Sequence, residues 1–198
     1  MDAIGGPEQT VATRRWLTRR AFIGHTIVGG SAAALCVGCG PDGAAVMGGD
    51  VTAGTIDEVR TAIEADGALY VSQASAYLTA MPADRLEAAL AAHDVALHDG
   101  FRAGFVALRQ TCTHLGCRVE LCRSSGWFEC PCHAGHFDLT GDYRDGLAER
   151  GLDLLPVSVR GGAVVIDSSV VVEGRPKGAP LLDPVDAAGP HCYVFAEQ

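Results

Sequence analysis

The chain has 198 residues, enough to bury one sizeable core and too few for two of that size. Its formal net charge of −9 excludes the basic surface that nucleic-acid binding requires. Eight cysteines are more than an ordinary cytosolic protein carries without a metal or redox role.

The charge is unevenly spread. Residues 1–40 hold four arginines against Asp2 and Glu8, so eleven basic and twenty-two acidic groups remain beyond them, a net of −11. An acidic domain of this kind would attract a basic partner. Thr18-Arg19-Arg20-Ala21-Phe22-Ile23 resembles a twin-arginine export signal, a receptor-read address whose route carries folded proteins. The apolar stretch after it, Ala21 to Cys39, is barely the length of about 20 residues that spans a bilayer. It is also diluted by Gly24, His25, Gly29, Gly30 and Ser31. Residues 1–39 are therefore expected to be an export signal with three fates. The segment stays as a membrane anchor, is cut after Ala32-Ala33-Ala34, or is lipidated at Cys39.

Residues 40–54, rich in Gly, Ala and Asp, read as a flexible linker. Thr55 then caps a short helix with Ile56, Val59 and Ile63 at helical spacing. Residues 68–71 and 76–78 read as strands, and 82–93 as a second helix that opens on Pro82. His93 and His98 have no cysteine nearby and are read as surface or cap residues. Residues 104–110 form a strand that delivers the next segment. Farther on, Leu155, Val157 and Val159 alternate with Pro156, Ser158 and Arg160 as in a half-buried strand. Gly161-Gly162 then turns the chain into a hairpin mate at 163–167. Residues 173–198 form a tail with four prolines, mostly irregular.

The stretch that carries chemistry is TCTHLGCRVELCRSSGWFECPCHAGHFD, from Thr111 to Asp138. Cys112-x-His114 and Cys130-x-x-His133 stand fifteen residues apart. Two thiolates and two imidazoles can hold one metal centre, as in structural zinc sites or in [2Fe–2S] clusters with histidines on one iron. Each loop here supplies one cysteine and one histidine, which suits a two-iron cluster better than a zinc knuckle.

CTHLGC followed by CPCH resembles the Rieske iron–sulfur family, most strongly over residues 104–167. Within it, GFVALRQTCTHLGCRVELCRSSGWFECPCH is most similar to the Rieske subunit of bacterial quinol–cytochrome c reductases. The resemblance implies a mainly β fold, an antiparallel β-sandwich over residues 55–172 with an inserted cluster-binding subdomain at about 111–147. It implies one [2Fe–2S] cluster, held by Cys112 and Cys130 on one iron and His114 and His133 on the other. It also implies a Cys117–Cys132 disulfide that clamps the two loops. His133 would be the residue that hydrogen-bonds the quinol. Leu115 and Gly116, at the loop tip, would shield the cluster and meet the partner. Partners would be a cytochrome b-type membrane subunit and a c-type cytochrome, on the extracytoplasmic side of a membrane. Other roles within the resemblance are the small subunit of an exported molybdenum oxidoreductase, such as arsenite oxidase, or a free-standing periplasmic ferredoxin. Cys122 and Cys192 are left over and could pair.

The chain departs from the quinol-oxidising pattern CPCHGS-x-Tyr. Gly135 stands where the Ser hydroxyl would donate to a cluster sulfur, and Phe137 where the Tyr hydroxyl would. Losing both donors lowers the expected potential. Residues 145–151 replace the usual Pro-rich loop, and His136 is read as a surface residue.

Overall fold

The computed structural model describes residues 48–179 and 186–194. The segment expected to be an export signal, residues 1–39, and most of the expected linker lie outside the described residues. Among the described residues no helix is long and apolar enough to cross a membrane.

The first strand arrives earlier than composition suggests. β1 (Asp50–Thr55) pairs antiparallel with β11 (Ala163–Asp167), so residues 50–54 belong to the domain and not to a linker. The Gly, Ala and Asp content hides this because the pairing partner lies more than a hundred residues away. Thr55 closes β1 and caps α1 (Ile56–Asp66) through a capping box with Glu58. Val59 and Ile63 form the buried stripe of that helix. β2 (Leu69–Val71) and β3 (Ala76–Ala80) follow. The helix expected over 82–93 is in two parts, a 3-10 turn at Ala83–Arg85 and α2 (Leu86–Ala92), with Pro82 as cap of the turn. A further short helix, α3 (His98–Ala103), leads into β4 (Phe105–Arg109).

β5 (Glu120–Cys122), β6 (Trp127–Cys130), β7 (Gly135–Phe137) and β8 (Tyr143–Asp145) make a self-contained antiparallel sheet in sequential order. The chain then returns through β9 (Leu154–Leu155) and β10 (Val157–Arg160). One continuous strand through Leu155 and Val159 is not what forms. Leu155 pairs with Ala107 of β4, whereas Val157 pairs with Ile166 of β11. Pro156 has no N–H to continue a ladder, so the chain changes sheets there. The β10–β11 turn is Gly161-Gly162, both with φ in the left-handed region, as a two-residue hairpin requires.

The result is mainly β. Sheets β1-β11-β10 and β2-β3-β4-β9 bury Leu78, Phe105, Ala107, Leu155, Val157, Val164 and Ile166 between them. A second core, on the other face of β4, joins Val106 and Leu108 to Phe128, Phe137, Cys112 and Cys130. β4 is thus buried on both faces, which explains its uninterrupted apolar run. The β5–β8 sheet is an insertion between β4 and β9, and both motif loops belong to it.

Candidate metal centre

The first loop leaves β4 and is closed by its own backbone. Cys112 N–H donates to the Cys117 carbonyl at 2.7 Å, and Gly116 N–H to the Cys112 carbonyl at 3.0 Å. Thr111 and Arg118 form an isolated bridge at its base. The Arg118 guanidinium donates to Gln110 Oε1 at 2.8 Å, and Tyr70 Oη donates to the same oxygen at 2.9 Å. The second loop is the four-residue turn between β6 and β7. Cys130 ends the first strand and pairs with Gly135, which begins the next. Ala134 sits in the left-handed region at φ 44°, a strained place for a residue with a Cβ.

These loops converge as the motif spacing implies. Cys117 and Cys132 form a disulfide, and the Cys130 sulfur lies within 4.8 Å of both. The imidazoles of His114 and His133 meet edge to face with centroids 4.7 Å apart. Cys112 and Cys130 are free and buried. Burial pushes the Cys112 thiol up to about 11, and the neighbouring Cys130 adds to the shift. His114 Nδ1 is buried without a hydrogen-bond partner. Two buried thiols and an orphaned imidazole nitrogen are costly unless a cation takes them up. The donor set therefore fits a two-iron cluster.

Leu115 projects beside His114 with 72% of its surface exposed. Gly135 and Phe137 stand where the sequence places them, and Phe137 is fully buried. A Cβ on Gly135 would lie 3.5 Å from the Phe137 ring and 3.6 Å from Cys130 Cβ.

A third loop, 145–151, completes the rim. Thr113 Oγ1 donates to the Arg150 carbonyl at 2.8 Å, which ties it to the first loop. At Gly146 a Cβ would fall 2.3 Å from the Ala134 carbonyl, so only glycine lets the third loop lie against the second. The Asp145-Gly146 turn signal was visible in the sequence, but its contact with Ala134 was not. Below the loops, Asp138 is a buried acceptor for Thr140 and for Arg144, whose guanidinium lies 2.6 Å away.

A scan against protein families matches the Rieske [2Fe–2S] domain over residues 69–156. The chain carries a Rieske [2Fe–2S] domain. It is 39% identical over 74 residues to cytochrome b6-f complex iron-sulfur subunit 2 of Cyanophora paradoxa, covering 37% of this chain and 31% of that protein. It is 43% identical over 60 residues to the ubiquinol-cytochrome c reductase iron-sulfur subunit of Rhodobacter capsulatus, covering 28% and 31%. The matched segments thus span about a third of these relatives. The soluble domain of Rieske protein II from Sulfolobus acidocaldarius is similar at 16% identity and TM-score 0.41, over 60% of this chain and 76% of that one. The plasma membrane Rieske protein of Synechocystis PCC 6803 gives 24% and 0.40, over 59% and 97%.

Three sequence-based expectations about side chains resolve in the Rieske domain. His93 caps the C-terminus of α2 and packs edge-on against Phe101, and His98 opens α3. Burial, with Arg175 and His98 nearby, pulls His93 down to about 4. Cys122 and Cys192 do pair, across a sequence separation of 70. His136 is not a surface residue: it is 4% exposed, and its ring stacks on His191 at 4.1 Å. It occupies the middle of β7, covered by a C-terminal segment that no local pattern could place there.

Proposed function

We propose that this chain takes an electron from a quinol and passes it to a cytochrome, as the iron–sulfur subunit of a quinol–cytochrome c reductase type assembly. The observation that carries this is the paired loop geometry: two free buried cysteines, and two histidines meeting edge to face, one of them next in sequence to an exposed leucine. Cys112, His114, Cys130 and His133 hold the [2Fe–2S] cluster. When bound, it supplies one-electron chemistry at a potential within about −150 to +300 mV.

The protein's own groups do the rest. The Cys117–Cys132 disulfide keeps the loops from parting. Leu115 excludes water and seats against the partner. His133 hydrogen-bonds the quinol hydroxyl and takes its proton as the electron leaves, so proton and electron transfer are coupled. Two disulfides among the described residues favour an oxidising compartment. With the twin-arginine pattern they support an exported domain at the extracytoplasmic face of a membrane.

Gly135 and Phe137 favour a low-potential donor such as menaquinol. They equally favour the second reading, a subunit or carrier serving another exported redox system. An EPR-monitored redox titration at several pH values, followed by isolation with native partners, tests the proposal. A Rieske signal with pH-dependent potential and a co-purifying cytochrome b supports it. A molybdenum subunit or no partner at all selects the second reading, and zinc in place of iron refutes both.

A further inference from the structure

The hairpin of β6 and β7 has a polar side that plays no part in holding the cluster. Glu129 and His136 face each other there in register, 0% and 4% exposed. A carboxylate shut away from water needs its lone pairs filled. Burial pushes the Glu129 carboxyl up, but hydrogen bonds from Ser125, His191 and the N–H groups of Tyr193 and Cys192 outweigh it and hold the group below its ordinary value.

Most of these donors come from the C-terminal segment. His191 Nδ1 donates to Glu129 Oε1 at 2.8 Å, and Ser125 Oγ to the same oxygen at 2.6 Å. The N–H groups of Cys192 and Tyr193 donate to Oε2 at 2.8 and 2.9 Å. The Tyr193 carbonyl accepts from His136 Nε2 at 2.7 Å. The segment is fastened on its other side as well. Ala188 N–H donates to the Ser125 carbonyl, Ser124 Oγ donates to the Pro190 carbonyl, and Cys192 is bonded to Cys122.

Glu129, His136 and His191 lie close enough together to suggest a cation site. The geometry argues against one. The carboxylate already accepts four hydrogen bonds, and the two imidazole planes are within 9° of parallel. A metal must lie in the plane of each ring it binds, and stacked parallel planes do not meet at one atom.

We propose that Glu129 is a positioning residue for the second cluster loop, acting by clasping the 188–193 segment as a strap with Cys122–Cys192 as its latch. Glu129 is peptide-bonded to Cys130, and His136 follows Gly135 at the far root of the same loop. A shift of either strand therefore moves Cys130 and His133 relative to the first loop. The strap sets the hairpin register from behind, from a part of the chain outside both motifs. This rests on the cluster assignment above.

The test uses the full chain with its cluster bound, comparing Glu129→Gln, Tyr193→Pro and the two combined. Tyr193→Pro removes one donor N–H and keeps the carbonyl. Each single change is expected to broaden the EPR signal of the reduced cluster and shorten cluster retention against an iron chelator at least fivefold. The combination should be no worse than the worse single change, because both open one clasp. Unchanged line shape and retention in both variants, or fully additive losses, overturn the proposal. If Glu129→Gln does not yield folded protein, Ser125→Ala and His191→Gln, each removing one donor, should shorten retention about twofold. No change in either would overturn it as well. A wild-type chain with no Rieske signal would instead overturn the cluster assignment, and the strap's role with it.

Discussion

Restoring the two missing hydroxyls should raise the potential of the centre. Gly135 has a backbone conformation that side chains adopt freely, and a Cβ there meets Phe137 and Cys130 at 3.5 and 3.6 Å, ordinary contact distances. Serine therefore fits at 135 without displacing either neighbour. Phe137 is fully buried in the core that also holds Cys112 and Cys130, and a tyrosine hydroxyl there is expected to donate to a cluster sulfur. Each donor stabilises the more negative, reduced form by about 1 to 1.5 kcal/mol. For one electron that is about 45 to 65 mV, and about 100 mV for Gly135→Ser with Phe137→Tyr. The assay is an EPR-monitored titration at fixed pH, comparing wild type, both singles and the double. Variants with an intact Rieske signal whose midpoints stay within about 15 mV of wild type would refute the hydrogen-bond account.

Three further outcomes follow from the same geometry. Opening the loop clamp by Cys117→Ser with Cys132→Ser should leave the sheets folded but make the cluster labile, read as faster iron loss with unchanged far-ultraviolet circular dichroism. Gly146→Ala places a methyl group 2.3 Å from the Ala134 carbonyl; it should cost about 1 to 3 kcal/mol and lower the melting temperature, whereas Gly161→Ala, with open space around it, should cost less. His93, pulled down to about 4 by burial, stays neutral in the folded chain while the unfolded chain binds a proton below about 6.5. Its contribution is present above about 6.5 and lost as pH falls from there toward 4, up to about 3 kcal/mol. His93→Gln should flatten the thermal-stability profile across that window, and an unchanged slope would show that another group carries it.

The candidate site was legible because its signal is local. Ligand type and spacing lie on two short loops, and so do the two cysteines of the clamp. The strands at 69–71, 76–80, 105–109 and 163–167 were legible for the same reason: alternation, apolar runs and glycine turns act within a few residues.

What sequence could not place depends on partners far along the chain. Residues 50–54 look like a linker until β11 supplies a ladder. Pro156 sits within an alternating pattern, yet only the arrangement of two sheets decides that the chain crosses between them there. His136 reads as surface because nothing near it in sequence covers it; the strap that does begins some fifty residues later. Glu129 drew no notice for the same reason. The candidate ligands and the mainly β class were legible in short-range pattern, and the Cys117–Cys132 clamp came with the family resemblance that the two loop motifs carry. The tertiary structure decided which polar groups are buried and what satisfies them, because burial is a property of the folded chain.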